Sequence, residues 1–235
     1  MADVACLVLR MAGPLQSWGV ESRFSRRSTA SEPSKSGVIG LLAAAQGRRR
    51  SDPIEDLVQL RFGVRVEQPG QLVRDFQTAQ RTIGSKVESM PLSQRYYLGD
   101  AAFLAFIEGP RDVVETLHQA ILRPRFPLYL GRRSCPPAGP LAVDVTDTGL
   151  EAALQSQPWR ASSRHQRLCR QATTILSFAR DARPGEASTH MERDEPASFD
   201  PEHRTYRMRP VVRGSISIHN PHGVIADDHD PMSAL

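Results

Sequence analysis

Cysteine and long apolar runs are both scarce in this chain of 235 residues. Its three cysteines, Cys6, Cys135 and Cys169, are isolated and form no CxxC pair, which argues against a disulfide framework and against a zinc site. No apolar stretch approaches the roughly 18 residues of a membrane span. The opening MADVACLVLRMAG lacks the basic region of a secretory signal, so we expect it to be the first strand of a cytoplasmic, globular protein.

Lysine is scarcer still, because Lys35 and Lys86 are the only two among 30 basic residues and all the others are arginine. A GC-rich genome would explain the bias, but arginine also offers a planar fork for phosphates and stacks on bases. The acidic residues concentrate elsewhere, at 181–202 and 227–230. This separation predicts a basic face suited to nucleic acid. The arginine clusters are Arg23, Arg26 and Arg27; Arg48, Arg49 and Arg50; Arg132 and Arg133; and Arg160, Arg164, Arg167 and Arg170.

The hydrophobic pattern predicts an α+β fold. The first half has the order strand, long loop, helix, two strands, polar insertion, strand, helix, which matches the βαββαβ ferredoxin-like plan. The second half is predicted to be β-rich and irregular, with an exposed acidic loop at 181–202. Gly13-Pro14 is predicted to end the first strand. Predicted strands are 4–11, 61–67, 72–77, 96–98, 101–108, 142–145, 175–179 and 206–218, and predicted helices are 36–46, 112–122 and 150–155.

The stretch PSKSG at 33–37 directly precedes the apolar, alanine-rich run of the first predicted helix. Free amides of a first helical turn bind anions, and Ser34, Lys35 and Ser36 add two hydroxyls and a charge. The alternative is an ordinary serine cap on a core helix, with Gly47 as its C-terminal stop. The order of glycine and lysine does not match a P-loop, which disfavours ATP.

Two further segments suggest contacts with nucleic acid. In YLGRRSCPP at 129–137, amides of the glycine turn can hold a phosphate while two arginines bind others, unless the segment is a plain surface loop. The polar insertion at 77–94 cannot form a core and is either a disordered loop or an arm that folds over RNA or over a protein partner. Of the two tyrosines that follow it, Tyr96 and Tyr97, alternation places one in the core and leaves one able to stack on a base.

Signals for catalysis and metals are weak. The histidines of HNPH at 219–222, with Asp227, Asp228 and His229, match no established ligand spacing, so we expect no metal and no cofactor. No nucleophile-elbow sequence is present, so no catalytic triad is nominated.

Several segments together resemble the CasD family of type I-E CRISPR Cascade subunits, a branch of the Cas-five family in the RAMP superfamily. The resemblance covers nearly the whole chain in order. The segments are LRMAGPLQSWG (9–19), RRSTASEPSKSGVIGLLAAAQG (26–47), QRYYLGDAAFLAFIEG (94–109), PLYLGRRSCPP (127–137) and RDEPASFDPEHRTYRMRPV (193–211).

The resemblance implies a RAMP-type modified ferredoxin-like (RRM-like) domain at 1–125. An inserted β-hairpin thumb would span about 77–95, and an irregular β-rich part at 126–235 would pack on the same body. It also implies a subunit that binds and caps the 5′ handle of the crRNA, contacts the backbone subunit CasC and the large subunit CasA, and meets target DNA only through the assembled complex, with no membrane. The implied RNA-binding residues are Arg26, Arg27, Ser34, Lys35, Ser36, Gly37, Gln77, Thr78, Gln80, Arg81, Tyr96, Gly131, Arg132, Arg133 and Ser134.

Related subunits of another CRISPR subtype cut RNA with tyrosine, lysine and histidine, and metal-free cleavage needs an acid and a base at the scissile bond. Here neither lysine neighbours a histidine. We therefore expect a non-catalytic subunit. The alternatives are a metal-independent endoribonuclease using Tyr96 or Tyr97 with His118, and an RRM-like RNA-binding protein outside any assembly.

Overall fold

A ten-stranded, mostly antiparallel sheet with few helices forms the body of the protein in the computed structural model, which describes residues 3–19, 22–23, 26–200 and 202–224. The sheet order is β11-β12-β10-β4-β8-β1-β9, with β5, β3 and β2 joined at one end of β8. The strands are β1 Val4–Gln16, β2 Ser22–Arg23, β3 Arg26–Arg27, β4 Arg61–Gln68, β5 Gln71–Gln77, β6 Gln80–Ile83, β7 Lys86–Ser89, β8 Ser93–Pro110, β9 Ala142–Thr146, β10 Thr173–Asp181, β11 His190–Ser198 and β12 Thr205–His219. The helices are α1 Lys35–Gln46, α2 Glu55–Val58, α3 Arg111–Leu122, α4 Leu150–Ser156 and α5 Ser163–Leu168.

The two faces of the sheet carry separate apolar cores, because side chains of a strand alternate between faces. On β1, Leu7 and Leu9 face the core that contains α1 and α3. Cys6 and Val8 face the smaller core that contains α4. Burial raises the pKa of Cys6 to about 12, so this thiol behaves as an apolar core group.

The predicted halves 1–125 and 126–235 share this one sheet. β9 pairs with β1, and β10 pairs with β4 at Phe178↔Arg65. The division into 1–125 and 126–235 stays a prediction.

The polar insertion forms two stacked hairpin segments, here called the thumb hairpin (residues 71–99). β5 pairs with the first part of β8 from Gln71↔Gly99 to Gln77↔Ser93, and β6 pairs with β7 around a turn at Gly84. The excursion is therefore longer than the predicted 77–95, because both flanking strands leave the central sheet together. Side chains of β6 and β7 are exposed.

Two local predictions were wrong. β1 does not end at Gly13-Pro14 but runs to Gln16, since Gly13 and Leu15 both keep partners on β8. Residues 190–198 are not a loop but strand β11, whose Asp194 is buried against β12.

No helix among the described residues is long and apolar enough to cross a membrane. The side chain of Arg23, Phe24, and residues 227–230 lie outside what the structure describes.

Candidate nucleic-acid interface

The glycine turn of the YLGRRSCPP segment is fixed against the end of β1. Gly131 has a φ of 89°, and a Cβ atom built there would lie 1.8 Å from the carbonyl oxygen of Ser17. The amide of Ser17 donates to the carbonyl of Leu130 at 3.1 Å, and the amide of Cys135 donates to that of Arg132 at 2.9 Å. Only glycine fits this position, for its left-handed conformation and for its close contact.

The guanidinium of Arg132 donates hydrogen bonds to backbone carbonyls of the same chain. Its Nη1 donates to the carbonyl of Tyr96 at 3.1 Å, and its Nη2 donates to that of Arg27 at 2.9 Å. The guanidinium also lies 4.8 Å from the centre of the Tyr97 ring. Arg132 therefore ties the glycine turn to β3 and β8, whereas Arg133 and Ser134 next to it are exposed.

The PSKSG stretch starts α1 with an ordinary serine cap. Ser34 has extended backbone angles, and its Oγ accepts from the amide of Gly37 at 3.2 Å. The helix ends at Gly47, which is left-handed and satisfies the last turn as predicted.

Carboxylates of the same chain surround Lys35. Its amide donates to Asp194 at 2.7 Å, and its Nζ donates to Asp181 at 2.9 Å, with the side chain almost fully buried. An acidic residue thus takes the anion position at the helix start. The ammonium group of Lys35 therefore points into this buried cluster and not toward an external phosphate.

Arg209 completes this buried cluster. Its guanidinium donates to Asp194 at 2.6 Å and to Asp181 at 2.7 Å. Burial opposes the charge, but the hydrogen bond to Asp194 and the nearby acids outweigh it and raise the pKa of Arg209. Asp181 also accepts from the amide of Phe62 at 2.9 Å, so the cluster joins α1 to β4, β10, β11 and β12.

A cavity of about 320 Å³ brings the two anion-binding candidates together. Its lining contains the first turn of α1, with Ser34, Ser36 and Gly37, and the glycine turn, with Gly131 and Arg132. The sequence separates these segments by more than ninety residues, and the structure places them on one surface.

The same cavity reveals Arg204 and Tyr206, which sequence reasoning did not single out. A neighbouring cavity of about 270 Å³ adds the arginines 48–50 and Tyr129. The basic run 48–50 was visible in the sequence as a cluster. Arg204 and Tyr206 were visible only as part of the basic HRTYRMR run at 203–209, whose meaning depends on the fold.

Tyr96 and Arg26 form a second group beside this cavity. The guanidinium of Arg26 lies 5.2 Å from the centre of the Tyr96 ring, and β3 pairs with β8 at Arg26↔Gln94. Tyr96 is half-buried, whereas Tyr97 is almost fully buried in the core, so only the former can present its ring. Arg27 is exposed and offers its carbonyl to Arg132.

The predicted thumb residues lie further out and do not join the cavity lining. Thr78, Gln80 and Arg81 are exposed, and Gln77 is half-buried. Arg81 forms an exposed ion pair with Glu88 across the hairpin at 2.6 Å. Such a pair exchanges easily with a phosphate, because exposed ion pairs contribute only about 0–1 kcal/mol.

The groups proposed for the alternative cleavage reaction are far apart. Tyr96 lies near the start of β8, and His118 lies on α3, which begins after the opposite end of β8. The part of β8 after Tyr96 is long at about 3.3 Å per residue, and the turns of α3 up to His118 are much shorter at about 1.5 Å per residue. Even if α3 runs back along the strand, the two side chains stay on the order of 30 Å apart. Tyr97 is buried in the core.

Within the described ranges, no group of three or more His, Cys, Asp or Glu residues could hold a metal ion. Asp227, Asp228 and His229, raised as weak metal candidates, fall outside those ranges.

Comparisons with known proteins agree on one family. A family model described as "CRISPR-associated protein (Cas_Cas5)" matches residues 6–212. The "CRISPR system Cascade subunit CasD" of Escherichia coli (strain K12) is 35% identical over 157 residues, which cover 57% of this chain and 68% of that protein.

Solved structures are similar over nearly the whole chain. One, described as "CRISPR RNA-guided surveillance complex", has a TM-score of 0.74 at 28% identity, and the match covers 97% of this chain and 96% of the solved chain. Another, described as "Crystal structure of Cas protein", has a TM-score of 0.66 at 34% identity, and the match covers 93% of this chain and 97% of the solved chain. The resemblance read from the sequence is confirmed, and the chain belongs to the Cas_Cas5 family of CRISPR-associated proteins.

Proposed function

We propose that this chain is a non-catalytic RNA-binding subunit of a type I-E CRISPR Cascade complex, where it holds and caps the 5′ handle of the crRNA. Its similarity to a Cascade subunit and to a protein of an RNA-guided surveillance complex supports the assembly. The surface described above supports the contact with RNA.

A RAMP-type ferredoxin-like domain is part of this proposal. The chain order β1, α1, β4, β8, α3, β9 is βαββαβ. These strands lie in the spatial order β4-β8-β1-β9, and α1 and α3 share one core on one face. That arrangement supports the ferredoxin-like assignment.

The observation that carries the RNA contact is the convergence of donors at the 320 Å³ cavity. Ser34 and Ser36 at the start of α1, Gly131 of the glycine turn and Arg204 all line one space. Serine hydroxyls and arginine forks are donors that bind phosphate oxygens. Arg133, Arg49 and Arg50 are exposed and extend the positive surface from its rim, whereas Arg48 is paired with Asp56.

The remaining predicted residues form the second part of the proposed interface. Tyr96, held beside Arg26, would stack a splayed base, since single-stranded RNA is recognised by stacking on aromatic rings. Gln77, Thr78, Gln80 and Arg81 on the thumb hairpin would cover the neighbouring nucleotide near the boundary of handle and spacer.

Contacts with the other subunits use other groups. The thumb hairpin exposes the large apolar side chains of Leu72, Phe76, Ile83 and Val87. Exposed apolar residues grouped on one arm mark a protein contact. We assign them to the neighbouring backbone subunit CasC or large subunit CasA, with target DNA reached through the assembled complex.

The absence of catalysis is proposed from the site chemistry. Lys35 is buried in its ion-pair cluster. Tyr96 lies near the start of β8, whereas His118 lies on α3, which follows the end of β8. No described pair of acid and base faces the cavity at hydrogen-bonding distance, as RNA cleavage would require.

The experiment is co-expression with the neighbouring operon proteins and a CRISPR array, purification through a tag on this chain, and sequencing of the bound RNA. A large complex whose RNAs share one uniform 5′ repeat segment supports the proposal. A lone chain, or one with random RNA, overturns it.

Incubation of purified chain with repeat RNA in EDTA tests the endoribonuclease alternative, and specific cleavage would establish it.

A further inference from the structure

Residues 152–180 contain no aspartate or glutamate. Four arginines project from the middle of this stretch, and all are exposed: Arg160, Arg164, Arg167 and Arg170. None of the four has an ion pair to an acid within the described residues. We call them the α5 arginine patch. Because residues 152–180 hold no acid, the positive charge of the patch is not neutralised within this segment.

The patch is held rigidly although the segment is polar. The Oγ of Ser162 caps α5 by accepting from His165 at 3.2 Å and donates to Gln68 of β4 at 2.8 Å. The buried Asn220 donates through Nδ2 to the carbonyls of Gln166 and Gln171, both at 3.1 Å. The segment is thereby fastened on both sides to the sheet.

A fully buried ion pair anchors the entry to the segment. Arg65 donates through Nε to Glu67 at 2.5 Å and through Nη1 to the carbonyl of Leu154 at 2.7 Å. Glu67 accepts from the amide of Arg160 at 2.6 Å. The pair is bonded to the backbone on both of its members, Arg65 to the carbonyl of Leu154 and Glu67 to the amide of Arg160. Here it fixes the backbone from which the patch projects.

This surface is separate from the RNA interface proposed above. Trp159 and Ala161, which flank Arg160, pack with Ile218 and Ile216, and Ile216 also packs in the α4 core. The 320 Å³ cavity lies at the start of α1, which packs on the other face of the sheet. The patch and this cavity are therefore separate surfaces.

We propose that the α5 arginine patch binds the phosphodiester backbone of a second nucleic-acid strand or duplex, independently of the RNA held at the α1 cavity. Arg164 and Arg167 are three residues apart on a helix and so project side by side, as two neighbouring phosphates require. Arginine forks suit phosphate oxygens, and four arginines that have no ion pair among the described residues give sequence-independent, salt-sensitive binding.

An acidic protein segment is the competing occupant. The acids at 227, 228 and 230 follow Val224, whose amide donates to the carbonyl of Arg170 at 2.9 Å. Leu168 is also exposed beside the patch, as protein interfaces favour. Phosphate is favoured because the arginines of α5 outnumber its apolar side chains and form no ion pair with an acid in the described part of the chain.

The test uses the full chain with a labelled DNA duplex and a labelled single strand, both of random sequence. Arg164→Gln/Arg167→Gln removes two charges from the patch. Arg123→Gln/Arg193→Gln removes two exposed charges elsewhere and is the matched control. Arg164→Lys/Arg167→Lys keeps the charge. Melting temperature verifies that each variant folds.

For the glutamine pair we expect affinity to fall about tenfold near 100 mM salt, and the log-log salt slope to fall by about 1.8 for a duplex or about 1.4 for a single strand. The lysine pair retains the slope, and the control behaves as wild type. The probe that responds more identifies duplex or single strand as the source of the phosphates. Equal binding by wild type and the glutamine pair overturns the proposal.

Co-purification separates this inference from the proposed function. The glutamine pair should still carry crRNA with a uniform 5′ segment. If the variant instead loses another subunit while nucleic-acid binding is unchanged, the patch is a protein interface and the proposal is wrong. If wild type carries no crRNA, the proposed function fails, and the titration with the chain alone still decides the patch.

Discussion

The Nη1 atom of Arg132 lies 3.1 Å from the carbonyl oxygen of Tyr96, thirty-six residues earlier in the chain. This bond holds the glycine turn against the strand that leads into the thumb hairpin. Arg133, the next residue, is exposed. Adjacent arginines of one motif thus differ in role: Arg132 holds the glycine turn in place, and Arg133 is exposed at the proposed interface.

Replacing these two arginines separates the roles. Arg132→Gln leaves carbonyls of Tyr96 and Arg27 without their donor, so we expect a loss of about 2 kcal/mol in unfolding free energy, measured by urea titration. Arg133→Gln should change stability by less than about 0.5 kcal/mol and reduce the salt slope of RNA binding by about 0.7. Equal destabilisation by both changes would contradict the assignment.

Gly131 gives a sharper test of the turn. Gly131→Ala places a Cβ atom 1.8 Å from the carbonyl oxygen of Ser17 at a φ of 89°, and backbone cannot yield cheaply. We expect at least about 3 kcal/mol of destabilisation, because overpacking and strain combine. Gly139→Ala, where nothing lies within 4 Å, is the control and should melt as wild type. A stable Gly131→Ala protein would show that the turn is not fixed by this contact.

Local signals in the sequence predicted local structure well. The serine cap, the alanine-rich run and Gly47 fixed both ends of α1, because each signal acts within one helical turn. Pro14 misled the prediction for β1. Pro14 has no amide proton and so makes no ladder hydrogen bond of its own. The strand continues because Gly13 and Leu15 on either side both pair with β8.

Non-local electrostatics could not be predicted. Asp194 reads as one acid in an acidic, polar stretch, and only the fold places it on the amide of Lys35 and the guanidinium of Arg209. For the same reason the sequence suggested Lys35 as a phosphate ligand and did not indicate Arg204 as a cavity residue. Each depends on partners well over a hundred residues away.

Lys35 tests whether the start of α1 uses its charge for RNA. Lys35→Met leaves Asp181 and Glu195 without the ammonium that lies 2.9 and 3.7 Å from them. We expect a loss of about 3–5 kcal/mol in stability, because breaking a buried pair leaves uncompensated charge. The folded variant should keep the wild-type salt slope for RNA. A slope reduced by about 0.7 would mean that Lys35 binds a phosphate after all.

The outer half of the thumb hairpin should be dispensable for folding. Its strands β6 and β7 form their own two-stranded sheet, and the β5–β8 pairing ends at Gln77↔Ser93. Replacing residues 79–90 with a short glycine linker should leave the melting temperature within a few degrees of wild type. The proposed cover over the RNA would be lost, so nuclease digestion of the purified complex should reach the nucleotides near the handle boundary. Unchanged protection would count against this role.

Glu151 should make stability depend on pH in a defined window. Burial would raise its pKa, but hydrogen bonds from Arg61 and Arg183 outweigh burial and lower the pKa to about 2. A lowered carboxyl pKa adds stability above the unfolded value, about 4.3, and that stability is lost as pH falls toward 2. Because Arg183 is largely exposed, we expect Glu151→Gln to cost only about 1 kcal/mol at pH 7. The urea-derived difference from wild type should shrink between about pH 4.5 and pH 2.

Glu88→Gln, which breaks an exposed pair on the thumb hairpin, is the control and should differ from wild type by less than about 0.5 kcal/mol throughout. A Glu151→Gln difference that stays constant down to pH 2 would mean that packing, not charge, gives Glu151 its effect.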